Sequence, residues 1–265
     1  MITLLGIGHV FQLRDTVQGV ITGKLPGLVC IELDEVRYKV LRSKQRGGTP
    51  PSFAYYMLAR FEEKLADMYG SSVGDEMLAA VDAARDLKIP VAFIDMDGQM
   101  MFRRMMKEMT IKERVWFFLA SLGSVFVSKK RVEKELKEFE ENSEAYMAEL
   151  EKKFPTIKRV LIDERDEHMA SKLAAFNTKI PDIVAVVGDG HVLGISSRLA
   201  YLDLEHEVIR LSELRPLEAR NKDLKETGQD DEEGPVDASI GAEDPESTSW
   251  SHSFEIASVP RDPPT

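Results

Sequence analysis

The fold is decided by the stretch IVAVVGDGHV, Ile183 to Val192, in which an unbroken apolar run is followed at once by two glycines and a histidine. Such a run predicts a strand that is buried on both faces, as in a parallel sheet. A similar pattern opens the chain, where Leu4-Leu5 leads into GIGHV, residues 6–10. The two copies predict two strands that each end in a glycine turn and present a histidine, His9 or His191.

The apolar residues around these motifs predict alternating strands and helices. An amphipathic pattern from Val10 to Leu25 predicts a helix that ends at Pro26-Gly27, and Leu28 to Leu33 predicts a second buried strand. Val91 to Ile94 predicts a third strand. Strand, helix and strand at this spacing form a parallel unit that is normally right-handed. The expected fold class is therefore α/β, with a largely parallel or mixed central sheet flanked by helices.

The chain divides into a folded part and a tail. Residues 1–216 are expected to form one α/β domain, in which residues 100–153 form a long helical insertion. The charged second half of the insertion predicts a solvated helical arm, and the alternative is an arm through which a homo-oligomer forms. Residues 217–265 are acidic and rich in Gly, Pro and Ser, so we expect a disordered tail.

Composition limits the partners and the location. The formal net charge of -11 disfavours nucleic acid as a partner, because phosphate binding needs a concentrated basic surface. The sequence has no stretch of roughly 20 apolar residues and no signal-peptide pattern at its start, so we expect no transmembrane segment and a cytoplasmic location. Cys30, the single cysteine, lies in an apolar run and is interpreted as a small buried side chain.

Polar residues follow four of the predicted strands, and in an open α/β sheet ligands bind at the carboxyl ends of the strands. These residues are His9, Glu32, Asp95 with Asp97, and His191. The glycine turns also suggest dinucleotide binding, but the third small residue of that motif is replaced by Phe11 in one copy and Leu193 in the other. A dinucleotide site is therefore not expected.

Two histidines and a carboxylate form a ligand set for a divalent metal ion with an open coordination position. The candidate ligands are His9, His191 and Glu32. Each also has a structural interpretation, since either histidine could cap or pack and Glu32 could cap the following helix. If Glu32 is not a ligand, it is the candidate general base.

The remaining candidates are two carboxylates and two arginines. Asp95 and Asp97 could bind substrate or form a turn. Arg104 and Arg165 carry guanidinium groups that donate in a fixed fork, so either could stabilise an oxyanion on the substrate. Each arginine could equally form a surface ion pair, and the spacing does not choose between them.

The chain resembles the TraB family, which includes the pheromone-shutdown proteins and is related to the TIKI metalloproteases. The resemblance spans Ile2 to about Leu211 and rests on five ordered segments. They are GIGHV (6–10), VCIELDEVRY (29–38), VGDEMLAAVDAARDLKIPVAFIDMD (73–97), ERDEHMA (164–170) and VVGDGHVLGI (186–195). The resemblance implies a metal-dependent, hydrolase-like site at His9, Glu32 and His191. It also implies that further polar positions of the family pattern are occupied by Asp95, Asp97, Arg104 and Arg165.

The resemblance to TIKI proteins implies peptide cleavage with a divalent ion such as manganese or cobalt. The leading hypothesis is therefore a hydrolase of peptides or related amides that uses manganese, cobalt or zinc. In this hypothesis Glu32, Arg104 and Arg165 are catalytic, and Asp95 and Asp97 contact the substrate. The alternative is a peptide-binding or sequestering regulator of the pheromone-shutdown type, which captures its ligand without turnover.

Overall fold

The structure is a computed structural model that describes residues 1–8, 13–44, 74–124 and 142–214 of the chain. Its centre is a five-stranded sheet. The strands are β1 (Ile2–Ile7), β2 (Leu28–Ile31), β3 (Val91–Phe93), β4 (Ile183–Gly188) and β5 (His206–Ile209). Their order across the sheet is β3-β2-β4-β1-β5, and all four neighbouring pairs are parallel. The prediction of an α/β fold with a parallel central sheet is confirmed.

Helices follow the strands in sequence. They are α1 (Arg14–Lys24), α2 (Glu35–Lys44), α3 (Asp75–Asp86), α4 (Gly98–Glu108), α5 (Ile111–Ser124), α6 (Ser143–Lys153), α7 (Pro155–Lys158), α8 (Glu164–Asn177) and α9 (Asp189–Tyr201). A π-helical turn, Arg159–Asp163, joins α7 to α8, and residues 211–214 form a further helical turn. In the described ranges, every helix is too short or too polar to cross a bilayer.

The sheet separates two hydrophobic layers because successive side chains of a strand point to opposite faces. On one face, Leu5, Val29 and Val184 pack in a cluster with residues of α1 and α3. On the other face, Leu4 and Ala185 pack in a cluster with residues of α8 and α9. The central strands β1, β2 and β4 are therefore almost entirely apolar, which is why the sequence shows continuous apolar runs there rather than an alternating pattern.

Two helix boundaries differ from the prediction. Helix α1 begins at Arg14, and it ends before Leu25, which adopts a left-handed conformation with φ of 45° just ahead of Pro26. Helix α9 begins at Asp189, directly after β4, so His191 lies in the first helical turn and not in a loop before the helix. The tail predicted over 217–265 lies outside the described residues.

The described parts of the predicted insertion, 100–153, are mostly helical, and α4 and α6 pack against α7. Helices α4 and α5 supply Met105, Met109 and Phe117 to a third hydrophobic cluster, which also contains Val160 of the π-helical turn. Methionine is flexible enough to fill such an irregular space. Residues 125–141 of the insertion lie outside the described residues, and so does most of the predicted arm.

Glu113 links the beginnings of two helices. Its carboxylate accepts the Thr110 N–H at 2.9 Å, while Thr110 Oγ1 accepts the Glu113 N–H at 3.2 Å, which is a capping box at the start of α5. The same buried carboxylate accepts the Thr156 N–H at 2.8 Å and the Thr156 hydroxyl at 3.0 Å, at the start of α7. Burial raises the pKa of Glu113, but these hydrogen bonds outweigh burial and lower the pKa below its ordinary value.

We expect Glu113→Gln to lower the free energy of unfolding at neutral pH by about 1–3 kcal/mol, because the amide has one acceptor oxygen for donors on both helices. Since the pKa of Glu113 is lower in the folded chain, the carboxylate stabilises the fold above about pH 4.3. That stabilisation is lost as the pH falls through the lowered folded pKa. Urea unfolding of the wild type and of Glu113→Gln should show that the difference in their free energies of unfolding becomes smaller between about pH 7 and about pH 3.

A matched control is Glu149→Gln on α6, where the exposed carboxylate pairs with Lys153. That change should leave the free energy of unfolding nearly unchanged, because an exposed pair four residues apart on a helix contributes little. A Glu113→Gln deficit that stays constant down to about pH 3 would contradict the role assigned to the carboxylate.

Candidate functional site

Three neighbouring strands end in polar residues at one edge of the sheet. Strands β3, β2 and β4 lie side by side and run parallel, so their carboxyl ends share an edge. Glu32 follows β2 directly, Asp95 lies two residues after β3, and His191 lies three residues after β4. The three residues are only 6%, 4% and 6% exposed, respectively. They form the candidate site at this edge.

Arg165 of α8 lies at the centre of the site and contacts all three residues. It forms an ion pair with Glu32 through Nη2 and Oε1. It also holds Asp95 with two hydrogen bonds, from Nε to Oδ1 at 3.0 Å and from Nη2 to Oδ2 at 2.6 Å. Its Nη1 lies 2.9 Å from Nε2 of His191. One guanidinium thus joins side chains that come from three different strand ends.

The π-helical turn before α8 helps to hold Arg165 in place. The turn closes with a hydrogen bond from the Glu164 N–H to the Arg159 carbonyl, one residue wider than in an α-helix. A carbonyl inside it, that of Leu161, accepts Arg165 Nη1 at 3.1 Å. Such turns occur frequently at functional sites.

The tautomer of His191 follows from its two neighbours. Nδ1 lies 2.6 Å from Oδ1 of Asp166, and an ionised carboxylate can only accept a hydrogen bond. On the other side of the ring, the guanidinium of Arg165 can only donate, so Nε2 is the acceptor. We infer a neutral ring with the proton on Nδ1 and the lone pair on Nε2. That lone pair lies 3.3 Å from Oε1 of Glu32.

The surrounding charges keep Glu32 ionised. Burial raises the pKa of this carboxyl, and so does the Asp95 carboxylate, but the guanidinium of Arg165 and the Gly188 N–H, which donates to Oε2 at 2.6 Å, lower it. The lowering effects are the larger, so the pKa of Glu32 lies below its ordinary value. Glu32 is therefore a carboxylate at neutral pH, available to bind a cation or to accept a proton.

A second arginine, Arg37 of α2, contacts Asp95 from another side. Its Nη2 forms an ion pair with Asp95, and its Nε donates to Asp34 at 2.6 Å. Asp34 also accepts the Gly98 N–H at 3.1 Å, which ties the start of α4 to this edge of the sheet. Burial raises the pKa of Asp95, but the two arginines outweigh burial and hold that pKa far below its ordinary value.

The sequence did not single out Arg37, Asp34 or Asp166. Asp34 and Arg37 are three residues apart at the start of α2, a spacing that allows side-chain contact on a helix. Asp166 directly follows Arg165 and is 2% exposed. Burial raises the pKa of Asp166, and it outweighs the hydrogen bond with His191, which lowers it. The i,i+3 spacing of Asp34 and Arg37 could have drawn attention to that pair, whereas no spacing in the sequence pointed to Asp166.

The other candidates from the sequence lie elsewhere or outside the described residues. Asp97 is an exposed cap for α4 that accepts the Met100 N–H at 2.8 Å. Arg104 donates to Glu108 and to Glu164 at 2.8 Å each, and its side chain is 44% exposed. The structure thus places Arg165, not Arg104, against Glu32 and His191. His9 lies outside the described residues.

The two glycine motifs are packed against each other. A Cβ at Gly6 would lie 2.4 Å from Oδ1 of Asp189, the second residue of the GDGHV motif. Asp189 is held there by two hydrogen bonds from Arg210, at 2.8 and 2.6 Å, and by the Leu211 N–H at 2.9 Å. Gly6 is therefore required by close approach to the buried aspartate that begins α9.

The donor atoms of the site fit part of a metal centre. Glu32 Oε1 and His191 Nε2 are 3.3 Å apart, and two ligands of a tetrahedral ion with bonds of about 2.0–2.2 Å have a similar separation. Arg165 lies against both of these atoms. Within 1–8, 13–44, 74–124 and 142–214, no three His, Cys, Asp or Glu side chains are arranged to hold an ion. Of the three ligands expected from the sequence, Glu32 and His191 lie together in the described part of the chain.

Comparison with known proteins places these motifs in a family. The model of the TraB/PrgY/gumN family matches residues 1–205. A relative, an uncharacterized protein of Methanocaldococcus jannaschii, is 31% identical over 236 residues. That match covers 84% of this chain and 59% of the relative, so the chain spans about three-fifths of the relative's length.

Proposed function

The chain belongs to the TraB/PrgY/gumN family, and on this premise we propose that it is a metal-dependent hydrolase of peptides or related amides. The observation that carries the proposal is the 3.3 Å approach of Glu32 Oε1 to His191 Nε2. One atom belongs to an ionised carboxylate and the other carries the lone pair of a neutral imidazole. Two such donor atoms this close together are suited to a divalent cation, which would take the place of the Arg165 guanidinium that contacts both.

The ligands in this proposal are His191, Glu32 and His9. His9 is included because it lies two residues beyond Ile7, the last residue of β1, and Ile7 is paired with Gly188 of β4. Manganese, cobalt and zinc all accept nitrogen and oxygen ligands of this kind. Such an ion would lower the pKa of a water molecule at the site and polarise a scissile carbonyl.

Arg165 is proposed to stabilise the developing oxyanion of the substrate. Its guanidinium lies beside both donor atoms, and Asp95 holds it through two hydrogen bonds. A preorganised donor of this kind stabilises charge that develops on a carbonyl oxygen during acyl transfer. Arg104 is not assigned this role, because its guanidinium is paired with Glu108 and Glu164 at the surface.

Glu32 is proposed to serve the site through its negative charge. Its lowered pKa keeps it ionised at neutral pH, as a ligand must be. If His9 and His191 hold the ion with a third group, the same carboxylate is placed to accept a proton from the attacking water. Both roles require the charge of Glu32, so both are lost in a Glu32→Gln variant.

The proposal is tested by incubating metal-free protein with a mixture of short peptides, with and without added Mn²⁺, Co²⁺ or Zn²⁺. Peptides are present in large excess and products are identified by mass spectrometry. We expect cleaved peptide to exceed the amount of protein, to disappear with a chelator and to return with one of the ions. Tight peptide binding without cleavage under every ion would contradict the proposal and favour a sequestering protein.

A further inference from the structure

Asp166 is a buried carboxylate with no place in the proposed chemistry, yet it contacts the histidine of the site. Its Oδ1 lies 2.6 Å from Nδ1 of His191, on the side of the ring opposite Glu32. The aspartate is 2% exposed and the histidine 6% exposed. A hydrogen bond between two buried groups at this distance fixes the orientation of the ring.

The packing around Asp166 makes room for this contact. A Cβ at Gly194 of α9 would lie 1.8 Å from Oδ2 of Asp166 and 2.7 Å from its Cγ. Any residue other than glycine at position 194 must therefore displace the carboxylate. Gly194 is one helical turn beyond His191 on α9, so the helix that bears the histidine also leaves the space that the Asp166 carboxylate occupies.

We infer that Asp166 is a positioning residue, which holds His191 as the Nδ1–H tautomer and so keeps Nε2 unprotonated beside Arg165 and Glu32. Gly194 is the residue that permits this contact. Histidines that bind metals commonly donate their second N–H to a carboxylate, which fixes the tautomer and the direction of the ring. The effect on ion binding rests on the proposed function, but the effect on the tautomer does not.

The first test measures the tautomer in the metal-free protein by long-range ¹H–¹⁵N correlation spectra of the imidazole rings. The chain has five histidines, and His191→Gln assigns the signal of interest by its loss. In mildly alkaline buffer, wild-type His191 should show a protonated Nδ1 and an unprotonated Nε2. Asp166→Asn keeps an acceptor oxygen and should preserve this pattern.

Asp166→Leu removes the acceptor at nearly the same size, so the Nε2–H tautomer should become populated. Because Arg165 favours the original tautomer from the other side, we expect a partial shift. Gly194→Ala should shift the tautomer in the same direction while every polar group is retained. Its matched control is Gly19→Ala on the exposed face of α1, where an added Cβ meets no atom within 4 Å. The control should leave the His191 spectrum unchanged.

The second test measures ion binding by titration calorimetry with Mn²⁺, Co²⁺ and Zn²⁺ separately. Loss of an outer partner of a metal-binding histidine typically weakens binding by about 10–100-fold, and we expect this for Asp166→Leu and less for Asp166→Asn. If the wild type binds no ion but the tautomer shifts as expected, the proposed function fails and the positioning role stands. If folded Asp166→Leu and Gly194→Ala both keep the wild-type tautomer, the positioning role is overturned.

Discussion

Replacement of Arg165 by methionine is expected to lower the free energy of unfolding by about 3–5 kcal/mol, the range seen when one partner of a buried ion pair is removed. The guanidinium contacts two buried carboxylates, Glu32 and Asp95, and methionine leaves both with less compensating charge. Asp95 retains Arg37, whereas Glu32 retains the Gly188 N–H. The loss is measured by urea unfolding at neutral pH, compared with the wild type.

The matched control is Arg159→Met in the neighbouring π-helical turn. Arg159 also pairs with two carboxylates, those of Glu108 and Glu164, but its side chain is 45% exposed. Water can solvate these carboxylates when the arginine is removed, so the control should cost less than about 1 kcal/mol. Equal effects of the two substitutions would show that Arg165 is not the centre of a desolvated charge cluster.

The second large effect is expected on turnover. Glu32→Gln and His191→Gln should each lower the rate of peptide hydrolysis by about 10²–10⁴-fold, the contribution typical of a positioned acid–base group. Both should also weaken ion binding, because each removes one of the two donor atoms that lie 3.3 Å apart. Rates are measured with the peptide and ion selected from the library experiment, and binding by calorimetry.

Two substitutions of the same chemical kind serve as controls. Glu149→Gln changes an exposed carboxylate on α6, and His206→Gln changes a histidine on β5 that is hydrogen-bonded to Ser196. Both should keep the turnover of the wild type. If His191→Gln remains folded and retains full turnover, the ligand assignment is wrong.

The centre of the sheet was predictable because β1, β2 and β4 are buried on both faces. Continuous apolar runs such as Ile183 to Val187 mark these strands, and parallel pairing brings their carboxyl ends to one edge. Glu32, Asp95 and His191 follow three adjacent strands, so the sequence was enough to nominate them. The extent of α9 was less predictable, because GDG can either form a turn or begin a helix, and in this chain Asp189 is bound by Arg210 as the helix starts.

Sequence spacing alone could not show whether Arg104 or Arg165 belongs to the candidate site. Arg104 and Arg165 both lie on helices in charged sequence, and only the packing of α8 against the sheet distinguishes them. The π-helical turn before α8 contains Leu161, whose carbonyl accepts Arg165 Nη1, and residue spacing gives no sign of such a turn. Asp166 was missed for the same reason, since its burial depends on the close approach of α9 at Gly194.

In the proposed site, Glu32 and His191 hold a divalent ion at the carboxyl edge of the sheet. Crystals grown with Mn²⁺ or Zn²⁺ would locate the ion by anomalous scattering. We expect an anomalous peak within about 2.0–2.2 Å of both Glu32 Oε1 and His191 Nε2, with Arg165 moved away from these atoms but still paired with Asp95. The proposed ion site would be contradicted if crystals saturated with the ion showed no anomalous peak beside either donor atom and the Arg165 guanidinium still contacted both.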